Sequence, residues 1–222
     1  VLPAYRDNFI DFLRLCRKHR IYAIPILDEC PMNRKYEAVA DEVKLNRPCP
    51  EVTGYNKQYL SAPFIAAKAA LIRDFVGEVK RRDPELLPVV LAWSLSNESF
   101  VKDSEGPFNL KEGLVQTANG KTYDMGDKHQ RQACFDEGMA HWANELTAAV
   151  KSVDPEAMVT TGMWTSNAQD REPVNYQLEP RVDDRYPPRP SVLAGPGCEL
   201  DFIDIHIYPF HGGTGINLEA CE

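Results

Sequence analysis

The chain has 222 residues, of which 43% are hydrophobic and 26% are charged, as in an ordinary globular protein. Its formal net charge of −8 disfavours nucleic acid or an anionic membrane surface as the main partner. No apolar run approaches the ~18 residues that a membrane-spanning helix needs, so no membrane span is expected. The chain starts at Val1 without a signal segment, which indicates a processed protein or an excised piece of a longer one.

Cysteine and histidine spacing indicates neither a metal site nor a cofactor. The six cysteines include no C-x-x-C pair, and the histidines at 19, 129, 141 and 211 show no ligand spacing. A dense disulfide framework is not expected at this length, although a bridge such as Cys30–Cys49 is compatible with the sequence. The compartment stays open, with a secreted or periplasmic protein favoured over a cytoplasmic one, and the oligomeric state stays open too.

Helical and strand-like patterns alternate along the whole chain. Apolar residues at helical spacing predict helices around residues 5–16, 60–79 and 134–153. Basic residues suit the C-terminus of the first helix, and Asp-Pro pairs at 83–84 and 154–155 stop the other two. Buried strands are predicted at 21–28, 88–95, 157–164 and 200–208. The alternation predicts an α/β fold with a parallel sheet, in a single domain over residues 1–222.

Long segments follow three of these strands, at residues 28–59, 99–130 and 165–199. The working loops of α/β folds come after strands, and loops of this length are uncommon unless they build a site. Within the second segment, residues 114–125 predict a hairpin that turns at Asn119-Gly120.

Side chains alternate in character along the last predicted strand. Its isoleucines at 203, 205 and 207 share one face, and the opposite face carries Phe202, Asp204, His206 and Tyr208. A strand in an open sheet covered by helices on both sides is expected to be apolar on both faces. Polar residues in a row on one face suit a closed (β/α)8 barrel instead, whose strands end at a polar mouth.

The strand that leads to Asn97-Glu98 shows a similar division. Its large residues are predicted to face the outer helices: Val89, Leu91, Trp93 and Leu95. Its small residues then face the barrel axis, and Glu98 points into the mouth. Regular alternation sends Asn97 the other way, so a local bulge is needed to use both residues. Pro25 conflicts with a central strand at 21–28, because it removes a ladder donor.

Four segments carry a resemblance in chain order: "FLRLCRKHRIYAIPIL", "LAWSLSNES", "WANELTAAVKSVDPEAMVTTGMW" and "LDFIDIHIYP". They resemble the clan-A glycoside hydrolases, especially the cellulase-like family 5 type. The segment "FLRLCRKHRIYAIPIL" is similar to the second helix and third strand of that barrel. The segment "LAWSLSNES" is similar to its fourth strand, which ends in Asn-Glu. The third is similar to the following helix and fifth strand, and the last to the sixth strand with its His-x-Tyr. The resemblance implies a partial TIM-barrel (β/α)8 sheet, strands three to six with their helices.

The resemblance also implies roles for individual residues. The glutamate that ends the fourth strand is the acid/base in that family, and the asparagine before it holds the sugar 2-hydroxyl. These roles fall to Glu98 and Asn97. The resemblance puts His206 and Tyr208 around the reacting sugar and makes Trp164 a candidate stacking platform.

The implied reaction is retaining hydrolysis of O-glycosidic bonds in a β-linked oligo- or polysaccharide. The acid needs a carboxyl group kept neutral near pH 7 by burial or by a nearby anion. Retention also needs a second carboxylate ~5–5.5 Å away as the nucleophile. The family carries that carboxylate on strand seven, so we expect it outside these 222 residues and expect no turnover from the isolated chain.

Each candidate also has a structural interpretation. The Asn-Glu pair alone suits a helix-capping turn, His206 and Tyr208 suit hydrogen-bonded core positions, and Trp164 suits packing. Asp28, at the tip of the first predicted strand, either contacts substrate or lies in a solvated loop. For the whole protein, the alternative is a non-catalytic carbohydrate-binding relative or an inactive fragment of such a barrel.

Overall fold

The structure, a computed structural model, describes residues 3–28, 33–164 and 184–206. Its helices are α1 (Pro3–His19), α2 (Arg34–Asn46), α3 (Lys57–Leu60), α4 (Ala62–Arg82), α5 (Lys128–Lys151) and α6 (Pro190–Leu193), with 3-10 turns at Gly54–Asn56 and Pro84–Val89. Its strands are β1 (Trp93–Ser94), β2 (Val101–Lys102), β3 (Leu114–Gln116), β4 (Thr122–Asp124), β5 (Val159–Thr160), β6 (Gly162–Trp164), β7 (Arg185–Tyr186) and β8 (Asp204–His206). None of these helices is long and apolar enough to cross a membrane.

The two longest helices, α4 and α5, organise the hydrophobic core. They pack against each other, and α4 also packs against α2. The Asp127 carboxylate caps α5 by accepting hydrogen bonds from the backbone N–H groups of His129 and Gln130, at 2.7 and 3.1 Å. Basic residues fill the last turn of α4, where they complement the helix dipole. Both predicted helices and their ends near the Asp-Pro pairs are confirmed.

Helix α1 is confirmed as well, but its buried side differs from the apolar stripe that the sequence predicts, namely Tyr5, Phe9, Phe12, Leu13 and Cys16. Ile10, Leu13 and Cys16 are buried, whereas Tyr5 and Phe12 are 62% and 49% exposed. The helix packs against the turn at 84–89, so only a narrow stripe of its surface is covered.

Helix α2 lies within residues 28–59, where the sequence predicts a long loop, and that prediction is wrong for this part. Asn33 caps the helix, because its side-chain oxygen accepts from Lys35 N at 3.2 Å. Tyr36 is the fully buried side chain of α2, and its hydroxyl donates to Asp74 of α4 at 2.8 Å. A helix that buries so little apolar surface shows no clear helical periodicity in its sequence.

The described cysteines form no disulfide framework. Cys16, Cys49, Cys134 and Cys198 are free thiols. Cys30, the other half of the bridge that the sequence allows, lies outside the described residues. Burial raises the pKa of Cys134 to about 12, so this cysteine stays a neutral core side chain.

The main strand segments pair in parallel and in sequence order. Ala23 and Ile26 form parallel bridges to Val90 and Ser94. Strand β1 then pairs with β5, and β6 pairs with β8, both in parallel. The predicted α/β alternation with parallel pairing is therefore present. The regular pairing is shorter than predicted, since residues 84–89 form a 3-10 turn, and the described residues do not close a barrel.

Pro25 fits the strand because the pairing is irregular at that point. From Ala23 to Ile26 the chain advances three residues, while the partner advances four, from Val90 to Ser94. The ladder resumes at Ser94, whose N–H donates to the Pro25 carbonyl at 2.9 Å. The missing N–H of proline thus falls where the extra partner residue interrupts the ladder.

The hairpin predicted at 114–125 is confirmed. Strands β3 and β4 are antiparallel, with Gln116 opposite Thr122. Gly120 in the turn has a φ of 78°, a left-handed conformation that glycine adopts at little cost.

The two faces of the parallel strands differ in what covers them. Trp93 is fully buried, and its ring centroid lies 6.3 Å from that of Phe9 in α1 and 6.3 Å from that of Phe75 in α4. Trp93 therefore faces the helices, as predicted. Large apolar side chains elsewhere on the strands are between 39% and 49% exposed: Ile24, Ile26, Leu91 and Met158.

These four residues form what we call the open apolar face. Ile26 lies opposite Ser94, the neighbour of Trp93, so it points away from the helices. The prediction that Leu91 packs beneath the helices is wrong, because Leu91 is 41% exposed. The extra residue between the two bridges changes the alternation on which that prediction depended.

Because the two faces are covered differently, truncating a side chain on each face of the same strand should lower the free energy of unfolding by different amounts. Trp93→Ala removes the centre of a buried aromatic cluster and should lower the free energy of unfolding by roughly 3–5 kcal/mol. Leu91→Ala, the matched control, should cost less than about 1 kcal/mol because the side chain already meets solvent. Urea denaturation followed by circular dichroism measures both. Equal losses for the two variants would contradict this assignment of faces.

Candidate functional site

Glu98, four residues after β1, meets His206, the last residue of β8. Glu98 Oε1 lies 3.0 Å from His206 Nδ1, and the two side chains are 23% and 19% exposed. The other ring nitrogen, Nε2, lies 3.4 Å from Asp204 Oδ2, on a side chain that is 41% exposed. The imidazole of His206 therefore bridges a partly buried carboxylate and a more exposed one.

The tautomer of His206 decides which atom carries the proton in the contact with Glu98. A neutral imidazole donates from one ring nitrogen, whereas an imidazolium donates from both. If the His206 N–H faces Asp204, the contact with Glu98 requires a proton on the Glu98 carboxyl. If the N–H faces Glu98, that carboxyl accepts. The arrangement can thus hold a proton on Glu98 or on Nδ1 of His206.

The register of the parallel strands brings these distant residues together. Strand β5 pairs with β1, which precedes Glu98, and β6 continues from β5 after Thr161. Trp164 in β6 lies opposite His206 in β8. Parallel strands present their carboxyl ends at one edge, so residues 108 positions apart meet there.

The backbone leaves the regular ladder just before Glu98. Leu95 N donates to Thr160 O at 2.8 Å, and a regular parallel ladder would continue from Gly162 N to Leu95 O. Instead, Gly162 N donates to Ser96 O at 2.9 Å, and Ser99 N donates to Gly162 O at 3.0 Å. The strand contains extra residues relative to its partner, which is the irregularity predicted at Asn97-Glu98.

Asp28 holds this irregular segment from the other side. Its Oδ1 atom accepts from the Ser96 hydroxyl at 2.6 Å and from the backbone N–H of Asn97 at 3.0 Å. Asp28 follows the last residue of its strand, where Leu27 N donates to Ser94 O at 2.7 Å. Sequence reasoning selected Asp28 for its place at a strand tip, and its contact with substrate stays a prediction.

Buried polar side chains lie behind Asp28. Lys68 of α4 is 1% exposed, donates from Nζ to the Asp28 carbonyl at 3.2 Å, and has Nζ 5.7 Å from the ring centroid of Trp142. Tyr59 is fully buried with its hydroxyl 3.5 Å from that of Ser96, and burial raises the pKa of this phenol well above its usual range. Sequence reasoning missed Lys68. The signal was present, since a lysine four residues after Phe64 falls on the apolar stripe of α4.

An aromatic stack adjoins the site on the side of β2. The rings of Phe100 and Tyr55 are stacked with centroids 4.4 Å apart, and the guanidinium of Arg185 lies 5.6 Å from the Phe100 centroid. Strand β2 pairs antiparallel with β7, which carries Arg185. Through Phe100 and Arg185, the stack connects strand β2, which follows Glu98, to strand β7, which precedes β8. Sequence reasoning did not find it, because its members are far apart in sequence.

The other predicted residues are described in part. Asn97 is exposed, and its backbone N–H is bonded to Asp28. Tyr208 and the side chain of Trp164 lie outside the described part of the structure. The roles expected for these residues stay predictions. In residues 3–28, 33–164 and 184–206, no group of three or more His, Cys, Asp or Glu side chains is arranged to hold a metal ion.

Gly162 makes the tightest backbone contact of the site. A Cβ atom on this residue would lie 1.6 Å from the Asn97 carbonyl oxygen. Gly162→Ala should therefore push the backbone at Asn97 away and cost at least about 1–3 kcal/mol of stability. Gly77→Ala is the matched control in α4, where a Cβ meets nothing within 4 Å and should stabilise the helix by ~0.5–1 kcal/mol. Thermal and urea denaturation compare the two, and a neutral Gly162→Ala variant would contradict the close approach.

Comparison with known proteins assigns this chain to no family. No protein-family model matches the chain, and neither the curated proteins nor the solved structures contain a match. A functional interpretation therefore depends on the residues themselves, above all on the contact between Glu98 and His206.

Proposed function

We propose that this chain is the central portion of a glycoside hydrolase barrel that cleaves a β-linked oligo- or polysaccharide with retention. Glu98 is the acid/base, and His206 is its proton-sharing partner. Asn97 is the ligand of the sugar 2-hydroxyl, with Trp164 and Tyr208 completing the sugar site. The substrate is a carbohydrate, and no cofactor takes part.

The observation that carries the proposal is the hydrogen-bonded contact between Glu98 Oε1 and His206 Nδ1 at 3.0 Å. The two residues were selected from separate segments of the sequence, and they meet with both side chains partly buried. An acid/base catalyst must give up a proton and recover it in each turnover. The first proton leaves on the glycosidic oxygen, and the second comes from the attacking water. A neighbouring imidazole can accept a hydrogen bond from the acid form of Glu98 and donate one to its carboxylate form, which keeps the group oriented in both steps.

The open apolar face supports the barrel part of the proposal. Ile24, Ile26, Leu91 and Met158 are each at least 39% exposed on strands that pair in parallel. In a closed (β/α)8 barrel, branched apolar side chains on the inner face fill the interior in layers. Such residues suit a barrel interior better than a surface in contact with water.

The nucleophile is expected from residues beyond this chain. Asp204 is a carboxylate in contact with this pair, with Oδ2 3.4 Å from His206 Nε2, but the imidazole stands between it and Glu98. A retaining pair needs the sugar, not a side chain, between its two carboxylates. Asp204 therefore suits a role in orienting His206.

A hydrolysis screen tests the proposal directly. The protein, in the length that its gene encodes, is assayed on β-glucan, β-mannan and β-xylan, with reducing ends and anomeric configuration followed by NMR. We expect hydrolysis of one class with retained configuration. Carbohydrate binding without hydrolysis would support the non-catalytic alternative, and neither binding nor hydrolysis would refute the proposal.

Glu98→Gln should separate the acid step from the rest of the reaction. The amide is nearly isosteric, so fold and sugar binding should persist while hydrolysis of unactivated substrates falls by roughly 10²–10⁴-fold. Dinitrophenyl glycosides need little protonation of the leaving group, so their glycosylation step should be largely spared. Azide should then restore turnover, because it attacks the intermediate without a general base.

Glu137→Gln is the matched control for that variant. Glu137 is also a partly exposed glutamate in hydrogen bonds, with Tyr123 at 2.7 Å and Lys121 at 3.0 Å, and it does not contact Glu98 or His206. Its replacement should leave the rates unchanged. Equal losses in the two variants, or no azide rescue of Glu98→Gln, would contradict an acid/base role for Glu98.

A further inference from the structure

We infer that Asp28 is a positioning residue, whose carboxylate fixes the backbone before Glu98 so that Glu98 meets His206. The catalytic meaning of this inference rests on the proposed function. The structural part, that the Glu98–His206 contact depends on Asp28, can be tested without any substrate.

The first step is the place of Asp28 in the ladder. Backbone pairing between the first strand and the strand that contains β1 runs up to the bond from Leu27 N to Ser94 O. Beyond it, the bulge turns the Asn97 N–H away from Gly162 O, which accepts from Ser99 N instead, and the Asp28 side chain accepts the Asn97 N–H. A carboxylate reaches farther than a carbonyl, so the partner strand can hold its extra residues and remain bonded.

The second step is the strength of this attachment. One oxygen, Oδ1, accepts both the Ser96 hydroxyl at 2.6 Å and the Asn97 N–H at 3.0 Å. Hydrogen bonds to an ionised acceptor are roughly twice as strong as neutral ones. Two of them on consecutive residues fix both the position and the orientation of the peptide before Glu98.

The third step is that Asp28 is itself anchored. Its carbonyl accepts from Lys68, a buried residue of the long helix α4. On the opposite side, Gly162 bonds Ser96 O and leaves no room for a side chain against Asn97 O. The segment before Glu98 is therefore held between a helix-anchored carboxylate and the backbone of the neighbouring strand.

The consequence concerns Glu98, the next residue along the chain. Its carboxyl reaches His206 Nδ1 from a backbone that departs from regular strand geometry. Without the two bonds to Asp28, the segment is free to relax, and the contact between Oε1 and Nδ1 lengthens. Displacements near 1 Å at a catalytic group can cost ~10²-fold in rate.

The substrate-free test is the ¹⁵N NMR signal of His206 Nδ1 at one fixed pH. Glu98→Gln defines the shift that follows from changing its partner. Asp28→Ala should shift the signal by at least half of the shift that Glu98→Gln causes. The double variant Asp28→Ala/Glu98→Gln should give nearly the same signal as Glu98→Gln alone. Asp28→Asn keeps an oxygen at the accepting position and should restore most of the wild-type signal.

Two further variants separate positioning from general destabilisation. Asp127→Ala also removes a carboxylate that accepts two hydrogen bonds, at the start of α5, and should leave the His206 signal unchanged. Ser96→Ala removes the 2.6 Å bond to Asp28 and the longer 3.5 Å contact with Tyr59, keeps the Asn97 bond, and provides a milder test should Asp28→Ala fail to fold. A wild-type signal in Asp28→Ala, or in Ser96→Ala where that milder test is needed, would overturn the inference. Equal shifts in Asp28→Asn and Asp28→Ala would also overturn it.

The kinetic test joins the inference to the proposed function. In the hydrolysing protein, Asp28→Ala should lower kcat by roughly 10–100-fold with KM within a factor of about two, and Asp28→Asn should recover most of the rate. An unchanged kcat in Asp28→Ala overturns the positioning role while the proposed function stands. A wild-type protein that hydrolyses no glycoside refutes the proposed function, and the NMR comparison still decides the role of Asp28.

Discussion

The close approach of Gly162 to Asn97 is the constraint on which the site depends. The Gly162 N–H bonds the Ser96 carbonyl, and its bare Cα faces the Asn97 carbonyl oxygen. The same residue opens β6 and pairs with Asp204, which sets the register of His206 two residues later. One glycine thus fixes the backbone before Glu98 and the strand that delivers its partner. Any side chain at this position would separate the two halves of the site.

Much of this arrangement could be predicted because it follows from periodicity and strand order. The stripes of α4 and α5, the hairpin at Asn119-Gly120 and the parallel order of the strands each have a local signal in the sequence. The meeting of Glu98 and His206 follows from one rule, that parallel strands end at a common edge. Even the irregularity at Asn97 could be predicted, because the roles that the resemblance implies for Asn97 and Glu98 conflict with strict alternation on consecutive residues.

The remainder could not be predicted because it depends on tertiary contacts without a local signal. Helix α2 buries mainly Tyr36, so its sequence looks like a solvated loop. The exposure of Leu91 follows from one extra residue opposite Pro25, and no pattern in either strand alone reveals that offset. Asp28 could be chosen as a strand-tip residue, but its bonds to Ser96 and Asn97 require knowledge of the bulge in the neighbouring strand.

The parallel strands have an apolar part, which carries the open apolar face, and a polar end around the bulge at Asn97. Around the bulge, polar groups are buried but bonded: Ser94 donates to the Ser96 carbonyl at 3.0 Å, and the hydroxyls of Ser99 and Thr161 lie 2.8 Å apart. Such bonds keep their strength only where water is excluded, since water competes for the same donors and acceptors. The hydroxyl groups in these bonds are at most 1% exposed, so the helices and neighbouring strands already exclude water from them, while the open apolar face on the same strands meets solvent. If further strands close that face, as the proposed barrel requires, the apolar side chains below the Glu98–His206 contact leave water, and the lower local dielectric would strengthen that hydrogen bond.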